Sequence, residues 1–384
     1  MKPALVLSGG GARGAYQVGV LKAIADLHAK SAHNPFSIIS GTSAGAVNGV
    51  ALAASANNFR LAVKKVEKIW ANLHVHKVYR AGAWDLIKSH GRVVGSLFNH
   101  KLRTSKALSL LDNQPLRELL DQSIQFKNIQ KRIEGGYLDA VCVSASGYSS
   151  GENVTFFQAR NGVASWRTGR RVGRPAVLTT SHILGSSAIP LIMPAEQIEQ
   201  EYFGDGALRQ LAPISPALRL GADRVLVIGV SGNASRSQPE TPSQPPSLAR
   251  IVGHVFNSAF IDSLEQDVNA LLRINDLLGY VENETPHATP DGMRKIDLLV
   301  ISPSIEFDEI AANYIDEMPR AMRGALRLIG ATRGGGGASL ASYLLFESAF
   351  CKELIDCGYR DAMAERESIL EFFLPELVSP LSPY

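Results

Sequence analysis

Residues 41 to 45 read Gly-Thr-Ser-Ala-Gly, a pattern in which the serine could act as a nucleophile. The pattern lies between a short β-branched run at 36–40 and a stretch of small residues at 44–56 that suits a helix. A nucleophile elbow requires this strand–turn–helix context. The serine at its tip adopts a strained backbone, and the flanking glycines leave room for it because they lack a Cβ. The pattern therefore predicts Ser43 as the nucleophile, with Gly41 and Gly45 shaping the elbow.

A glycine-rich loop near residue 10 could stabilise the oxyanion that such a serine generates. Residues 4–7 read as a short buried strand, residues 15–29 as a helix, and Ser8 to Gly14 connect them. Consecutive backbone N–H groups at a strand-to-helix turn form an anion-binding concavity, which the positive end of the helix dipole reinforces. We predict an oxyanion hole formed by this loop. Its candidate residues are Gly9, Gly10, Gly11, Ala12, Arg13 and Gly14.

The same loop also satisfies the dinucleotide-binding pattern G-x-G-x-x-G through Gly9, Gly11 and Gly14. That pattern predicts an acidic residue at the end of the second strand, about 20 residues further on, to hold a ribose. Here the second strand ends in Ser-Gly-Thr-Ser at 40–43, without a carboxylate. Dinucleotide binding and a purely structural tight turn remain the alternatives to an oxyanion hole.

Asp205 is the candidate acid, since it stands between two glycines in Tyr-Phe-Gly-Asp-Gly-Ala at 202–207. A lone Asp-Gly pair is more often an ordinary turn. The combination of the glycine-rich loop, the elbow and this aspartate, in this order, favours a functional role.

Together these three elements resemble the patatin-like phospholipases, which are acyl hydrolases built around a Ser–Asp dyad. The family pattern has a glycine-rich oxyanion loop, a G-x-S-x-G elbow and a D-G-G/A segment. It is similar to Gly9–Gly14, Gly41–Gly45 and Asp205–Ala207 here, with alanine at the third position of the last segment. Similarity continues at 186–190, 205–213, 220–228, 342–346 and 354–359, so it spans most of the chain, most specifically residues 1–230.

The resemblance implies that Ser43 is the nucleophile and Asp205 its partner, with the amides around Gly10 to Arg13 as oxyanion donors. A Ser–His–acid triad would instead need a histidine as base. The nine histidines are scattered, and His182 is the one nearest to a family-like segment. In a dyad the aspartate itself accepts the serine proton and returns it to the leaving alcohol.

The implied activity is hydrolysis of fatty-acyl esters of phospholipids through a Ser43 acyl-enzyme. Neither step needs redox chemistry or a Lewis acid, so we expect no cofactor and no metal. A lysophospholipid, a neutral acylglycerol or an acyl thioester are alternative substrates for the same dyad. A non-catalytic module that binds a nucleotide or a lipid is the alternative from another class.

Strand-like runs alternate with helical ones along the chain, which predicts an α/β fold with a mainly parallel sheet and helices on both faces. The resemblance implies the three-layer α/β/α arrangement of the patatin-like family. We predict a catalytic core at 1–232, a flexible Pro/Ser-rich loop at 233–247, and a helix-rich C-terminal extension at 248–384 that packs on the core. This extension begins with a long helix at 248–278.

Composition fits a globular enzyme of 384 residues, and a net charge of +3 offers no case for nucleic-acid binding. The sequence has neither a signal-peptide pattern nor an apolar run of about 18 residues, which predicts a cytoplasmic chain without a spanning helix. Aromatic and basic residues interleave at 77–103, a composition that suits peripheral contact with membrane lipid. A lid over an acyl pocket and an ordinary amphipathic insertion are the alternatives for this segment. The sequence carries no prediction of oligomeric state.

Overall fold

The computed structural model describes residues 2–28, 33–80, 109–232, 245, 247–284, 293–328, 330 and 338–373. The predicted loop at 233–247 and the segment at 77–103 lie mostly outside these residues. Among the described helices, none combines the length and the apolar character that crossing a membrane requires.

The described strands form one sheet of ten strands. They are β1 Pro3–Leu7, β2 Ile38–Thr42, β3 Ala140–Gly147, β4 Asn153–Ala159, β5 Trp166–Thr168, β6 Arg171–Pro175, β7 Glu196–Ile198, β8 Glu201–Asp205, β9 Arg224–Ile228 and β10 Asp297–Ile301. The order β10-β9-β1-β2-β3-β4-β6-β5 runs across the sheet, and β8 pairs with both β3 and β7. All pairs from β10 to β3 are parallel, while β3 pairs antiparallel with β4 and β8. The prediction of a mainly parallel sheet is confirmed.

Helices separate and follow these strands. They are α1 Ala15–Leu27, α2 Ala44–Ala54, α3 Phe59–Ala71, α4 Val75–Val78, α5 Gln114–Ser123, α6 Lys127–Glu134, α7 Thr180–Ser186, α8 Ser215–Arg219, α9 Leu248–Asn257, α10 Ser263–Glu284, α11 Phe307–Tyr314, α12 Arg320–Leu328, α13 Ala338–Leu344, α14 Ser348–Ala364 and α15 Arg366–Phe373. The long helix predicted at 248–278 is interrupted, because a π-helical turn, Ser258–Asp262, separates α9 from α10.

The hydrophobic core lies on both faces of the sheet. Alternate side chains of a strand point to opposite faces, so in β1 Leu5 and Leu7 belong to one buried cluster and Ala4 and Val6 to the other. The first cluster includes α1, α2, α3 and α14, and the second includes α8 and part of α10. This gives the helix–sheet–helix layers that the sequence predicts.

Helix α14 of the C-terminal extension packs directly against α1. A Cβ at Gly19 would lie 1.9 Å from the carbonyl oxygen of Ile355, and one at Gly358 would lie 2.2 Å from that of Tyr16. The Tyr16 hydroxyl also donates to Asp361 at 3.0 Å. Glycines thus let the backbones of α1 and α14 approach closely.

Strands β2 and β8 meet end to end along one edge of β3. Strand β2 runs parallel to β3 and pairs Thr42 with Ser144. Strand β8 arrives from the opposite direction and pairs Asp205 with Ala145. Because the other edge of β3 is occupied by β4, this arrangement brings the ends of β2 and β8 to the same point.

Candidate active site

Ser43 occupies the sharp turn between β2 and α2. Its backbone has φ 55° and ψ −123°, a left-handed φ that a side chain rarely adopts and that costs of order 1–3 kcal/mol. The glycines on either side are required by close packing. A Cβ at Gly45 would lie 2.2 Å from the carbonyl oxygen of Leu7, and one at Gly41 would lie 2.4 Å from that of Gly45. The turn at Ser43 therefore packs tightly against the end of β1.

Asp205 lies beside Ser43 at the end of β8. Its Oδ2 accepts a 2.7 Å hydrogen bond from the Ser43 hydroxyl, and its Oδ1 accepts a 3.0 Å bond from the backbone N–H of Ala207. The carboxyl is fully buried. Burial raises the pKa of Asp205 to about 7, although the hydrogen bonds from Ser43 and Ala207 act in the opposite direction. A carboxyl with this pKa can gain and lose a proton near neutrality.

Ser186, at the end of α7, holds the elbow in place. Its hydroxyl accepts a 2.8 Å hydrogen bond from the backbone N–H of Ser43 and donates a 2.6 Å bond to the carbonyl oxygen of Ser144. It thereby connects the strained residue to β3. The sequence analysis includes Ser186 only within a family-like segment, since nothing in its local pattern signals a contact with Ser43.

The glycine-rich loop lies next to Ser43. A Cβ at Gly9 would lie 3.1 Å from the Cβ of Ser43, and one at Gly14 would lie 2.7 Å from that of Ala44. Residues Gly11–Gly14 form one 3₁₀ turn that leads into α1, and Gly11 has φ 57°. The amide end of this turn and helix therefore lies beside Ser43.

Both the backbone N–H and the side chain of Arg13 are engaged in hydrogen bonds. Its backbone N–H donates to the carbonyl oxygen of Gly10 at 3.2 Å, and its guanidinium pairs with Asp308 at 2.7 Å. The side chain is buried, with 3% exposure. This restricts the candidate oxyanion donors to the other loop amides and gives Arg13 an anchoring contact.

Buried polar side chains of α1, α2 and α3 form a hydrogen-bond network with the glycine-rich loop. Asn48 of α2 donates to the carbonyl oxygen of Gly14 at 3.1 Å and to Gln17 at 3.0 Å. Gln17 in turn donates to the carbonyl oxygen of Ser8 at 2.8 Å, and the indole of Trp70 donates to Asn48 at 2.7 Å. These residues link α1, α2 and α3 to the loop. Sequence reasoning missed them, because buried amides in helices carry no distinctive spacing.

His182 has a structural role in the described structure. Its Nδ1 accepts a 3.1 Å hydrogen bond from the backbone N–H of Thr179 at the start of α7, and its ring packs edge-on against Phe156. Burial lowers the pKa of His182 to about 4. The partner of the Ser43 hydroxyl is Asp205 and not this histidine.

An apolar cavity begins at Ser43 and Gly11. Helices α2, α3 and α5 provide half of its lining residues. The lining includes Val47, Ala51, Ile69, Leu119, Leu120 and Met193. Ala51 and Ile69 also line a neighbouring pocket.

The described part of the chain contains no group of three or more His, Cys, Asp or Glu side chains that could hold a metal ion. The three cysteines are buried and make no disulfide. The arrangement beside the cavity consists instead of a hydroxyl, a carboxyl and a glycine-rich turn.

The fold and the site define a three-layer α/β/α protein with a serine elbow beside a buried carboxyl. Residues 5–218 match the family model described as patatin-like phospholipase. This match covers more than half of the chain, and the chain belongs to the patatin-like phospholipase family. Its general activity is accordingly that of a lipid acyl hydrolase.

Among solved structures, the crystal structure of VipD from Legionella pneumophila is similar to this chain. The two are 13% identical, the alignment covers 96% of this chain and 67% of that chain, and the TM-score is 0.39. No curated protein sequence matches the chain.

Proposed function

We propose that the protein cleaves fatty-acyl esters of phospholipids with a Ser43–Asp205 dyad. The observation that carries the proposal is the 2.7 Å hydrogen bond from the Ser43 hydroxyl to Oδ2 of Asp205. A nucleophile hydrogen-bonded to its base is the geometry that covalent catalysis requires. Family membership makes a lipid the substrate, and the Ser–Asp roles are our assignment.

In the acylation step the Ser43 oxygen adds to the ester carbonyl carbon while its proton passes to Asp205. The carbonyl oxygen becomes an oxyanion, which the loop amides of Gly9 to Ala12 stabilise. The bond to the glycerol oxygen then breaks, and that oxygen takes the proton from Asp205 as the lysolipid leaves. Loss of one oxyanion donor typically slows such a reaction about 100- to 1000-fold.

In the deacylation step Asp205 removes a proton from water as the water oxygen adds to the acyl carbon. The bond between that carbon and the Ser43 oxygen then breaks. Ser43 recovers its proton from Asp205, and the fatty acid leaves. The same carboxyl thus acts as base and then as acid in both steps.

The raised pKa of Asp205 supports its role as a base. A general base is most effective when its pKa lies near the working pH, and burial brings the pKa of this carboxyl to about 7. An aspartate at its ordinary pKa of about 3.9 would be a much weaker proton acceptor.

The apolar cavity supports a long acyl chain as the group that is transferred. Its lining by side chains such as Val47 and Leu119 would bury methylene groups, at about 0.8 kcal/mol for each. The glycerol and headgroup would remain outside. The cavity by itself does not discriminate a phospholipid from a lysophospholipid, a neutral acylglycerol or an acyl thioester, which share the acyl chain.

A fluorophosphonate probe and a lipid panel test the proposal together. We expect covalent labelling at Ser43 and release of fatty acid from phosphatidylcholine or phosphatidylethanolamine in mixed micelles. Release from lysolipid, triacylglycerol or acyl-CoA in preference to phospholipid would replace the substrate but keep the dyad. An unlabelled Ser43 with no hydrolysis would favour the non-catalytic binding module.

Contact with membrane lipid through residues 77–103 remains a proposal from composition alone. Only residues 77–80 of this segment belong to the described structure. The prediction that tests it is given in the Discussion.

A further inference from the structure

The glycines of the oxyanion loop are packed against residues that follow the family-matched region. That region ends at residue 218. Each contact is too close for a side chain at the glycine. The distances from an added Cβ are 2.8 Å to the Phe260 ring for Gly9, 2.6 Å to Val230 Cγ2 for Gly10, and 2.2 Å to the Tyr343 carbonyl oxygen for Gly11. The outer wall of the loop is thus built by the C-terminal part of the chain.

Arg13 fastens the loop to this wall. Its Nη2 donates to Oδ1 of Asp308 in α11 at 2.7 Å, and its Nε donates to the hydroxyl of Ser342 in α13 at 2.9 Å. The guanidinium carbon also lies 4.0 Å above the ring centre of Tyr343. One side chain from the loop therefore contacts two helices that come about 300 residues later in the sequence, as the separations of 295 and 329 residues indicate.

The burial of this pair makes Asp308 the important partner. The Arg13 side chain is 3% exposed and that of Asp308 is 34% exposed. A buried charge is costly unless an opposite charge and hydrogen bonds compensate it. Glu306 also lies close enough to interact with Arg13, but the hydrogen-bonded carboxylate is that of Asp308. Without Asp308, Arg13 would move toward solvent or another partner, and the loop would move with it.

We propose that Asp308 is a positioning residue for the oxyanion hole. Through Arg13 it holds the amides of Gly9 to Ala12 where the ester oxygen gains its negative charge. Asp308 does not touch the substrate, and its effect is confined to the transition state. Oxyanion donors are effective only when they are held in position before the reaction. This inference rests on the proposed hydrolase function.

The expected effect of Asp308→Ala is a loss in kcat of about 10- to 100-fold, less than the loss of a donor itself. The KM for a short, water-soluble ester should change by less than about threefold, since an interaction made only in the transition state lowers kcat and kcat/KM together. Affinity for an alkyl trifluoromethyl ketone, whose adduct with the serine carries an oxyanion, should fall by the same factor as kcat.

Two milder variants support this test if Asp308→Ala does not fold. Asp308→Asn keeps an acceptor for Arg13 and removes the charge, so it should lie between the wild type and Asp308→Ala. Ser342→Ala removes the acceptor of Arg13 Nε without changing any charge. The matched control is Asp316→Ala, which breaks the ion pair of an exposed carboxylate with Arg323 and should leave kcat unchanged.

The outcomes separate this inference from the function on which it rests. A wild-type protein that neither hydrolyses esters nor labels at Ser43 would defeat the proposed function. An active wild type whose Asp308 variants keep their kcat and their affinity for the trifluoromethyl ketone would overturn the inference alone. So would variants that lose thermal stability and raise KM with kcat preserved, because that result assigns Asp308 a merely structural role.

Discussion

The hydroxyl of Ser43 donates a 2.7 Å hydrogen bond to Asp205, a residue that lies 162 positions further along the chain. Asp205 is fully buried and Ser43 is 2% exposed, so the pair is screened from water in the described structure. At this position the backbone of Ser43 is strained, with a left-handed φ of 55°. Strain of this kind persists where the surroundings enforce it, and it is concentrated at functional sites.

Replacement of the nucleophile should abolish the reaction. We expect Ser43→Ala to lower kcat by at least about 10⁴-fold, since no other group can form the acyl-enzyme. Fluorophosphonate labelling followed by mass spectrometry measures the loss. Ser149→Ala, at an exposed serine, is the control and should label normally. Labelling that persists in Ser43→Ala would identify another nucleophile.

The rate should depend on pH through the ionisation of Asp205. Only the carboxylate can accept the serine proton, and the pKa of Asp205 is raised to about 7 by burial. For a soluble ester, kcat/KM should rise about tenfold per pH unit at low pH and level off above the pKa of the free enzyme. A profile that is flat from pH 5 to 8 would contradict this.

Replacement of the base should remove this pH dependence together with most of the activity. Asp205→Asn keeps the shape of the side chain but cannot accept a proton, so we expect a loss of about 10²- to 10⁴-fold. His182→Ala should retain activity, since His182 caps α7. Equal losses in the two variants, with the fold preserved, would favour a triad in place of the dyad.

Asp205 should also make the protein less stable at higher pH. Its pKa is raised from 3.8 to about 7 in the folded state, so between these values the unfolded chain releases a proton that the folded chain retains. Stability therefore falls as pH rises across this range, by about 1.4 kcal/mol for each unit of the pKa difference.

Urea unfolding of the wild type and Asp205→Asn at pH 5 and pH 8 measures this effect. The stability of Asp205→Asn relative to the wild type should be greater at pH 8 than at pH 5, by a few kcal/mol. Asp316→Asn, at an exposed carboxylate, is the control variant. A difference that is the same at both pH values would mean that the pKa of Asp205 is not raised.

The cavity wall on α2 should set the acyl-chain length. Val47 and Ala51 follow Ser43 by four and eight residues on this helix, which places them about 6 and 12 Å along its axis. Ala51→Phe should reduce hydrolysis of long-chain esters and leave a butyryl ester nearly unaffected. Val47→Phe should restrict hydrolysis to esters with still shorter acyl chains.

Rates over a series of p-nitrophenyl esters measure this limit. Lys64→Phe, at an exposed position of α3 that lines neither pocket, is the control and should leave the chain-length profile unchanged. If both α2 variants kept the wild-type profile, the acyl chain would lie elsewhere.

Membrane contact through residues 77–103 should be sensitive to charge and to aromatic side chains. Trp84→Ala, or charge reversal at Lys88 and Arg92, should weaken binding to vesicles that contain phosphatidylserine, by about 1 kcal/mol for each basic residue near the surface. High salt should reduce the difference. Equal losses on vesicles and on a soluble ester would instead mean that the segment shapes the active site.

Local patterns were sufficient to predict the elements that carry the chemistry. The sequence shows the elbow at Gly41–Gly45 and the loop at Gly9–Gly14, because glycine is required where a Cβ atom would collide with a neighbouring group or where φ is positive. Short continuous apolar runs such as 4–7 and 225–228 likewise predict buried strands, and the structure has β1 and β9 there. These conformational requirements act between residues that are close in the chain, so local sequence patterns reveal them.

The pairing of Ser43 with Asp205 depends on the tertiary structure. It arises because β2 and β8 reach the same edge of β3 from opposite directions, with Thr42 opposite Ser144 and Asp205 opposite Ala145. Strand register of this kind depends on pairing between distant segments, which no local pattern encodes. The motif resemblance predicted the partners, and the register supplies the physical reason for their contact.

The sequence by itself determined which residues of this protein could react, since their types and local spacing limit the chemistry. Only the tertiary structure decided what surrounds them. The Ser186 hydroxyl reaches the elbow, Arg13 turns to Asp308, and helices from separate parts of the chain enclose the cavity. Burial also shifts the pKa of Asp205. These properties depend on which atoms exclude water and which opposite charges lie within hydrogen-bond distance, and both follow from packing between segments far apart in sequence.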